Sequence, residues 1–287
     1  MESTVPAPTP IGVTGATGHL GGRIARLLAD QGVPQRLLAR SPERAPTLPL
    51  ASVVQASYGD HGAVGAALSG LDTVLMVSAA EAPDRVADHR TFIAAAAEAG
   101  VRHLVYISFL GASPEATFTL ARDHWTTEQA IRDSGLGFTF LRDSLYADFL
   151  PGMVGADDVL RGPAGTGRVA AVAQDDIARV AATVLVSPEA HRDRSYDLTG
   201  PEALTLAEVA AVLSEVTGRP ITFHDETVEE AFASRAASGA PAWQVEAWVS
   251  TYTAIAAGEL ATVSSTIPDL TGRPATSLAR LLGATSS

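Results

Sequence analysis

The chain has 287 residues, 46% of them hydrophobic, so it can bury a substantial core as one large domain or two small ones. It contains no cysteine, which excludes disulfides, thiolate metal sites and cysteine nucleophiles. The net charge of −12 argues against nucleic acid as a partner, and no apolar run predicts a membrane span. The first residues lack the basic start and apolar core of a signal peptide, so we expect residues 1–9 to form a disordered tail of a cytoplasmic protein.

The first predicted element is a short strand that ends in a glycine-rich turn. The apolar run IGVT is followed by Gly15, Gly18 and Gly21, in the spacing G-x-x-G-x-x-G, and then by an amphipathic helix. In this arrangement Gly15 permits a tight turn, Gly18 lets the backbone approach a pyrophosphate, and Gly21 lets the helix lie close to the strand. The helix start offers unpaired N–H groups and the positive end of its dipole to the phosphates. The pattern therefore predicts a dinucleotide-binding turn.

The second predicted strand, QRLLAR over residues 35–40, indicates which dinucleotide is bound. NAD-preferring folds usually place an acidic residue at the end of this strand, where it binds the ribose hydroxyls. Here the position holds Arg40, and Arg44 follows one helical turn later. An arginine can pair with a 2′-phosphate, which favours NADP(H) over NAD(H); a solvated arginine at a surface helix start is the alternative. Ser41 and Pro42 predict that helix start, as a cap and a first helical residue.

Further short strands are predicted along the chain, with helical segments between them. They cover residues 52–56, 72–77, 103–107 and 138–141. Strands that alternate with helices at this spacing predict an α/β fold, a Rossmann-type doubly wound parallel sheet. Beyond about residue 150 the alternation loosens. We therefore expect an NAD(P)-binding Rossmann domain over residues 10–150 and a smaller, mostly helical substrate-binding or lid region over residues 151–287.

Several segments together resemble the NmrA-like family of atypical short-chain dehydrogenases/reductases. They are TGATGHLGG, LARSPERA, SAAEAPDRVADHR, DHWTTEQAIRDSGLGFTFLRDSLY, YDLTGPEALTLAEVA and LTGRPATSLARLL. The resemblance is colinear over residues 10–285, and the pairing of DSGLGFTFLRDSLY with the downstream YDLTGPEALT is more specific than the glycine motif. Within this family the chain is most similar to the NADPH-dependent quinone oxidoreductase type.

The resemblance implies a set of NADP(H) contacts at the ends of several strands. The glycine turn would hold the pyrophosphate, Arg40 the 2′-phosphate, and residues after the sixth strand would lie near the nicotinamide. The implied cofactor-binding residues are Gly15, Thr17, Gly18, His19, Leu20, Arg40, Ser57, Tyr58, Ser78, Ala79, Asp143, Ser144, Leu145 and Tyr146. Many relatives have an acidic residue near the adenine where this chain has Ser57, so that contact departs from the family pattern.

All 20 basic residues are arginine, so the Tyr-x-x-x-Lys dyad of ordinary short-chain dehydrogenases is excluded. Three residues are candidate catalytic groups in its place. His124 could transfer a proton near neutral pH, or it could be a capping or surface histidine. Tyr146 follows the sixth strand, at the edge where open α/β sheets bind ligands, or it could be a packing aromatic. Ser108 could touch substrate after the fifth strand, or it could cap a loop. No metal-ligand spacing and no G-x-S-x-G nucleophile elbow are found.

The residues and the resemblance lead to one functional expectation. We expect an NADPH-dependent reductase that transfers hydride to a quinone or a related conjugated carbonyl, with a small-molecule partner and no nucleic acid or membrane. Such an acceptor needs little acid catalysis, because hydride addition to a quinone gives a delocalised phenolate rather than a strongly basic alkoxide. A non-enzymatic NAD(P)-binding redox sensor of NmrA type, a biosynthetic carbonyl reductase and an isomerase stay open as alternatives, and so does a homodimer.

Overall fold

A computed structural model describes residues 9–283, so nearly all of the tail predicted over residues 1–9 lies outside the described residues. The β-strands are β1 (Ile11–Thr14), β2 (Gln35–Ala39), β3 (Ala51–Gln55), β4 (Thr73–Val77), β5 (His103–Phe109), β6 (Gly137–Asp143), β7 (Val159–Gly162), β8 (Arg168–Val169), β9 (Arg194–Leu198), β10 (Leu204–Thr205) and β11 (Thr222–Asp225). The α-helices are α1 (His19–Asp30), α2 (His61–Leu68), α3 (Arg85–Glu98), α4 (Thr119–Asp133), α5 (Gln174–Val186), α6 (Leu206–Thr217), α7 (Val228–Arg235), α8 (Ala242–Ala256), α9 (Thr266–Thr271) and α10 (Leu278–Gly283).

The main sheet has seven strands in the order β3-β2-β1-β4-β5-β6-β9. The pairings of β1 with β2 and β4, of β2 with β3, and of β4 with β5 are parallel. From β1 the chain first builds the sheet in one direction and then, with β4, in the other. In such a sheet, ligands bind at the carboxyl ends of the strands beside this change of direction. The predicted Rossmann-type doubly wound α/β fold is therefore confirmed.

The chain divides into two compact units, each discontinuous in sequence. Of the described residues, unit 1 contains 9–107, 127–140 and 181–195, and unit 2 contains 108–126, 141–180 and 196–283. This division differs from the single boundary predicted at residue 150. A change of rhythm along the sequence can mark only one crossing, whereas this chain passes between the two units several times.

Each unit buries its own apolar core. In unit 1, Phe92 of α3, Tyr106 of β5 and Phe140 of β6 are fully buried among aliphatic side chains. In unit 2, Phe109 and Phe118 lie in a second buried cluster. Burial of each such large side chain contributes roughly 1.5–3 kcal/mol, so each cluster holds its part of the main sheet together. None of the helices within residues 9–283 combines the length and the apolar character that a membrane crossing needs.

Two local features differ from the sequence prediction. Strand β5 extends through Phe109, so Ser108 lies inside the strand and is fully buried instead of following it. The helix predicted from Ser41 is only a 3₁₀ turn, Pro42–Arg44, and it has no side-chain cap. The turn ends there because Ala45 precedes Pro46 and takes the extended conformation that a proline imposes on the residue before it.

The region after residue 150 is mostly helical, as predicted. It contains two small two-stranded sheets, in which β8 pairs with β10 in antiparallel orientation and β7 pairs with β11 in parallel orientation. The strands β8 and β10 have only two residues each, which is too short for a pattern of alternating polarity to reveal them in the sequence. Other short segments form 3₁₀ turns, at Ala147–Met153 and Ala236–Ser238 in unit 2 and at Pro188–His191 in unit 1.

Candidate functional site

The glycine-rich turn connects β1 to α1 in unit 1, and two of its positions require glycine. Gly15 has a φ of +67°, in the left-handed region where a side chain causes strain. A Cβ atom at Gly21 would lie 2.3 Å from the carbonyl oxygen of Gly15 and 2.9 Å from that of Thr14. Gly18 is less constrained, since its nearest atom would be 3.3 Å away. The backbone therefore brings the helix start directly against the end of the strand.

The start of α1 has the features of a phosphate-binding site. Gly18 is the N-cap residue, and no side chain caps the helix. Thr17, Gly18 and His19 are exposed, whereas the Leu20 side chain is buried, so Leu20 can face a ligand only with its backbone. An uncapped helix start presents unpaired N–H groups and a positive dipole end, which together suit an anion. These residues therefore fit the pyrophosphate of a dinucleotide.

Side-chain hydroxyls tie the ends of β1 and β4 together beside this turn. Thr14 Oγ1 accepts a hydrogen bond from the Val77 N–H at 2.9 Å, and the Tyr58 hydroxyl donates to the Val77 carbonyl at 2.6 Å. The two hydroxyl oxygens lie 2.5 Å apart. Because the Tyr58 proton is used on Val77, Thr14 donates to Tyr58. Burial raises the pKa of Tyr58, so this phenol stays protonated and its hydroxyl serves the fold.

The loop after β4 contains the predicted cofactor residues Ser78 and Ala79, which are both half-buried. The Ala79 N–H donates to Nε2 of His89, a fully buried residue of α3, at 2.9 Å. The ring of Tyr58 packs against Phe92 with 4.7 Å between the ring centroids, and the neighbouring Ser57 is exposed. All three features, the glycine turn, the Tyr58 ring and this loop, belong to unit 1. The prediction that they bind the same ligand requires them to lie in one unit.

Arg40 follows β2 directly, and both Arg40 and Arg44 are exposed. Within residues 9–283 neither guanidinium forms an ion pair. Gln55 donates a hydrogen bond to the Arg40 carbonyl at 3.3 Å, which ties this end of β2 to its neighbour β3. A fixed backbone with an uncommitted arginine side chain is an arrangement suited to a phosphate ligand.

The candidate catalytic residues Ser108 and His124 both belong to unit 2, and both are buried. Ser108 is fully buried in β5, and His124 is 6% exposed within α4. The His124 ring centroid lies 6.0 Å from that of Phe109. The reading of His124 as a capping or surface histidine is therefore wrong, because the residue lies inside the helix and away from solvent.

The segment that ends β6 contains the predicted residues Asp143 to Tyr146. The Tyr146 hydroxyl donates to Asp143 Oδ2 at 3.0 Å. Burial raises the pKa of Asp143 well above its usual value, and the hydrogen bond from Tyr146 acts in the opposite direction. Ser144 is fully buried, and its Oγ has no hydrogen-bond partner within the described part of the chain. Leu145 is half-buried and packs against the core of unit 2.

Sequence reasoning missed three residues around these groups. Thr14 holds the backbone of Val77, and His89 holds that of the predicted cofactor residue Ala79. Phe149 lies beside Tyr146 with 5.3 Å between the ring centroids. Phe149 is 52% exposed, an unusual state for a large apolar residue. The sequence contained one signal, since His89 lies inside a family-like segment. The contacts of Thr14 and Phe149 follow only from the folded structure.

Comparison with known proteins places these features in a family. A family model described as NAD(P)H-binding matches residues 15–188. The chain is 40% identical to the (4-alkanoyl-5-oxo-2,5-dihydrofuran-3-yl)methyl phosphate reductase of Streptomyces griseus, a match that covers 92% of this chain and 93% of the relative. It is 33% identical to quinone oxidoreductase 2 of Escherichia coli, over 94% of this chain and 96% of the relative.

Solved structures agree with this assignment. The structure of Escherichia coli NADPH-dependent quinone oxidoreductase in complex with NADPH is similar with a TM-score of 0.88 and 31% identity, and the match covers 96% of this chain and all (100%) of that chain. The Citrobacter triphenylmethane reductase in complex with NADP(H) is similar with a TM-score of 0.86 and 30% identity, over 96% of this chain and 100% of the other. The chain therefore belongs to the NAD(P)H-binding family and is an NAD(P)H-dependent oxidoreductase of the NmrA-like type.

Proposed function

We propose that this protein is a reductase that uses NADPH to deliver hydride to a quinone or a related conjugated carbonyl. The observation that carries the proposal is the similarity, over nearly the whole chain, to a quinone oxidoreductase and to a dihydrofuranone phosphate reductase. The compound named for the second relative has a ring double bond in conjugation with carbonyl groups. A conjugated acceptor is therefore common to the printed names of both relatives.

Unit 1 supplies the residues that would hold NADPH, whose nicotinamide ring supplies the hydride. The uncapped start of α1 and the exposed Gly18 would bind the pyrophosphate. Arg40 and Arg44, which have no acidic partner within residues 9–283, would bind the 2′-phosphate. This arrangement supports NADPH as the preferred cofactor, because NADH has no phosphate at that position.

The absence of lysine supports a conjugated acceptor. In a Tyr-x-x-x-Lys dyad the ammonium group stabilises the phenolate, so that the tyrosine can protonate the alkoxide formed from a ketone. Here Tyr146 lies beside the carboxyl group of Asp143, and a carboxyl group cannot stabilise a phenolate in that way. When a quinone takes up hydride, two electrons and one proton arrive together and leave a delocalised hydroquinone anion, which accepts its second proton from water.

The candidate residues of unit 2 would then orient the acceptor instead of protonating it. Tyr146 and the exposed Phe149 form an aromatic pair against which a flat ring can pack. The hydrogen bond to Asp143 fixes the position of the Tyr146 hydroxyl. His124 and Ser108, both buried, would act on the acceptor through position and polarity, and their removal should have a smaller effect than the roughly 10²–10⁴-fold loss expected for a general acid.

The test is NADPH consumption by the full chain with three acceptors: a benzoquinone, a 2-acylbutenolide and cyclohexanone. We expect turnover with both conjugated acceptors, and a kcat/KM for cyclohexanone at least about 10²-fold lower, because the ketone product needs a proton donor. The same assay with NADH should show weaker use of the cofactor. Efficient reduction of cyclohexanone, or tight NADPH binding without turnover of either conjugated acceptor, would overturn the proposal.

A further inference from the structure

His89 is a buried histidine to which the reaction assigns no role. It is 0% exposed in α3, and both of its ring nitrogens have partners within unit 1. Nε2 lies 2.9 Å from the Ala79 backbone nitrogen, and Nδ1 lies 2.9 Å from Thr127 Oγ1. The ring therefore links the loop after β4 to helix α4, and Ala79 is one of the residues implied to contact the cofactor.

The partners of His89 fix its protonation. A backbone N–H can only donate, so Nε2 must accept from Ala79 and carries no proton. The proton is therefore on Nδ1, which donates to Thr127 Oγ1. Thr127 in turn forms a side-chain hydrogen bond with the buried Tyr106. Burial, and next the neighbouring Arg85 charge, lower the pKa of His89 to about 3, so the ring stays neutral in this form.

The hydrogen bond from Ala79 also sets the direction of the preceding carbonyl. A peptide unit is planar and trans, so its N–H and its C=O point in opposite directions. Because the Ala79 N–H points at the buried His89 ring, the Ser78 carbonyl of the same peptide unit points away from that ring. Without an acceptor on residue 89, the N–H of this half-buried peptide would lose its hydrogen-bond partner. The observed peptide orientation would then be less stable relative to other orientations.

We propose that His89 is a positioning residue for NADPH, which holds the Ser78–Ala79 peptide so that the Ser78 carbonyl accepts a hydrogen bond from a sugar hydroxyl of the cofactor. The proposal rests on the NADPH function proposed above. The residue acts only through the backbone of the loop, and the part of the ring that matters is the lone pair on Nε2. A histidine in this role cannot be replaced by a side chain of similar size that lacks an acceptor at the same reach.

Two substitutions separate this role from ordinary packing. In His89→Gln the side-chain oxygen reaches to about the position of Nε2 and can still accept from Ala79, while the donor to Thr127 is lost. In His89→Asn the shorter amide can still donate to Thr127, while the acceptor for Ala79 is lost. Both variants remove the ring from the core, so their free energies of unfolding should fall by similar amounts.

The measurement is the NADPH dissociation constant by titration, with the KM for NADPH and kcat on a benzoquinone. We expect His89→Asn to raise both the dissociation constant and the KM for NADPH about tenfold, at a kcat and a quinone KM within twofold of wild type. His89→Gln should stay within twofold of wild type in all four quantities. If the Asn variant does not fold, His89→Met, which has similar length but only a weak acceptor, takes its place in the same comparison.

Thr127→Val is the matched control. It removes the partner of Nδ1 and leaves the bond to Ala79 in place, so its NADPH dissociation constant should stay within twofold of wild type. Equal NADPH affinity in the Asn and Gln variants, or a loss as large in Thr127→Val as in His89→Asn, would overturn the proposal. If wild type itself fails to bind NADPH, the proposed function fails, and that result is distinct from either of these.

Discussion

The predicted site residues of unit 1 and those of unit 2 differ in how their buried polar groups are satisfied. In unit 1 the Val77 and Ala79 N–H groups donate to Thr14 and His89, and the Val77 carbonyl accepts from Tyr58, at 2.6–2.9 Å. In unit 2 the Oγ of Ser144 is buried without a partner within the described residues, and the buried Asp143 has a pKa well above its usual value. The polar groups around the loop after β4 are thus satisfied within the protein, whereas the buried Ser144 hydroxyl is not within the described residues.

This difference indicates how each unit by itself would recognise a ligand. A pyrophosphate bound by backbone N–H groups at glycine positions is recognised by backbone geometry, which the exchange of a surface side chain does not change. A ligand bound by the side chains of Ser144, Tyr146 and Phe149 is recognised through those side chains, so that a substitution at any of these positions changes the recognition. We therefore expect unit 1 variants to affect cofactor binding and stability, and unit 2 variants to affect the choice of acceptor.

The largest effect should come from Gly21→Ala. The new methyl would lie 2.3 Å from a backbone carbonyl oxygen, which cannot rotate away as a side chain could, so helix α1 must shift from β1. We expect a loss of about 3 kcal/mol in the free energy of unfolding, at the upper end of overpacking costs, together with weak NADPH binding. Denaturant titration and a binding titration measure the two quantities.

Gly65→Ala is the control for that variant. Gly65 lies in α2 and has no atom within 4 Å of an added Cβ, so alanine there should be neutral or stabilise by up to about 1 kcal/mol. Equal stability of the two variants would show that the close contact at Gly21 relaxes easily. The backbone of unit 1 would then be more adaptable than we infer from its comparison with unit 2.

A smaller effect is expected from Arg40→Ala. The lost contact to the 2′-phosphate should weaken NADPH binding by about 1.5–3 kcal/mol, while NADH binding stays nearly unchanged because NADH has no such phosphate. The two dissociation constants, measured by fluorescence titration for wild type and variant, give this difference directly. Equal affinity of wild type for the two cofactors would contradict the role given to Arg40.

The smallest effect is expected from Tyr146→Phe. The ring and its contact with Phe149 remain, while the hydroxyl bonded to Asp143 is lost. With a benzoquinone, kcat/KM should fall less than about tenfold, well below the loss of a general acid, and NADPH affinity should not change. A fall of about 10³-fold would identify Tyr146 as a proton donor and would contradict the positioning role proposed for it.

The glycine turn and the end of the second strand show how far the sequence predicts a site. The spacing of Gly15, Gly18 and Gly21 predicted a tight turn and a close approach of helix and strand. Both are found: Gly15 has a φ of +67°, and Gly21 leaves no room for a Cβ atom beside the Gly15 carbonyl oxygen. Arg40 was correctly placed at the strand end. These features were predictable because they depend on neighbours in the chain and on one residue type each. The cofactor contacts themselves remain predictions.

Other features were beyond sequence reasoning. The burial of His124, the inclusion of Ser108 in β5 and the two short sheets of unit 2 all depend on residues that are far away in the chain. The division into two units also differs from the single boundary predicted at residue 150, because the chain returns to unit 1 at residues 181–195. Local patterns along a sequence do not show which distant segments cover a side chain or extend a strand.

By itself the sequence determined the class of fold and the dinucleotide turn. Through the absence of lysine it also excluded a Tyr-x-x-x-Lys dyad from the reaction. Periodicity, glycine spacing and composition are properties of neighbouring residues or of the chain as a whole. Only the tertiary structure decided that Thr14 and Tyr58 join the ends of two strands, and that His89 meets Ala79 through the lone pair of Nε2. Such hydrogen bonds need positions within a few tenths of an ångström, and only the packing of elements in three dimensions sets distances that finely.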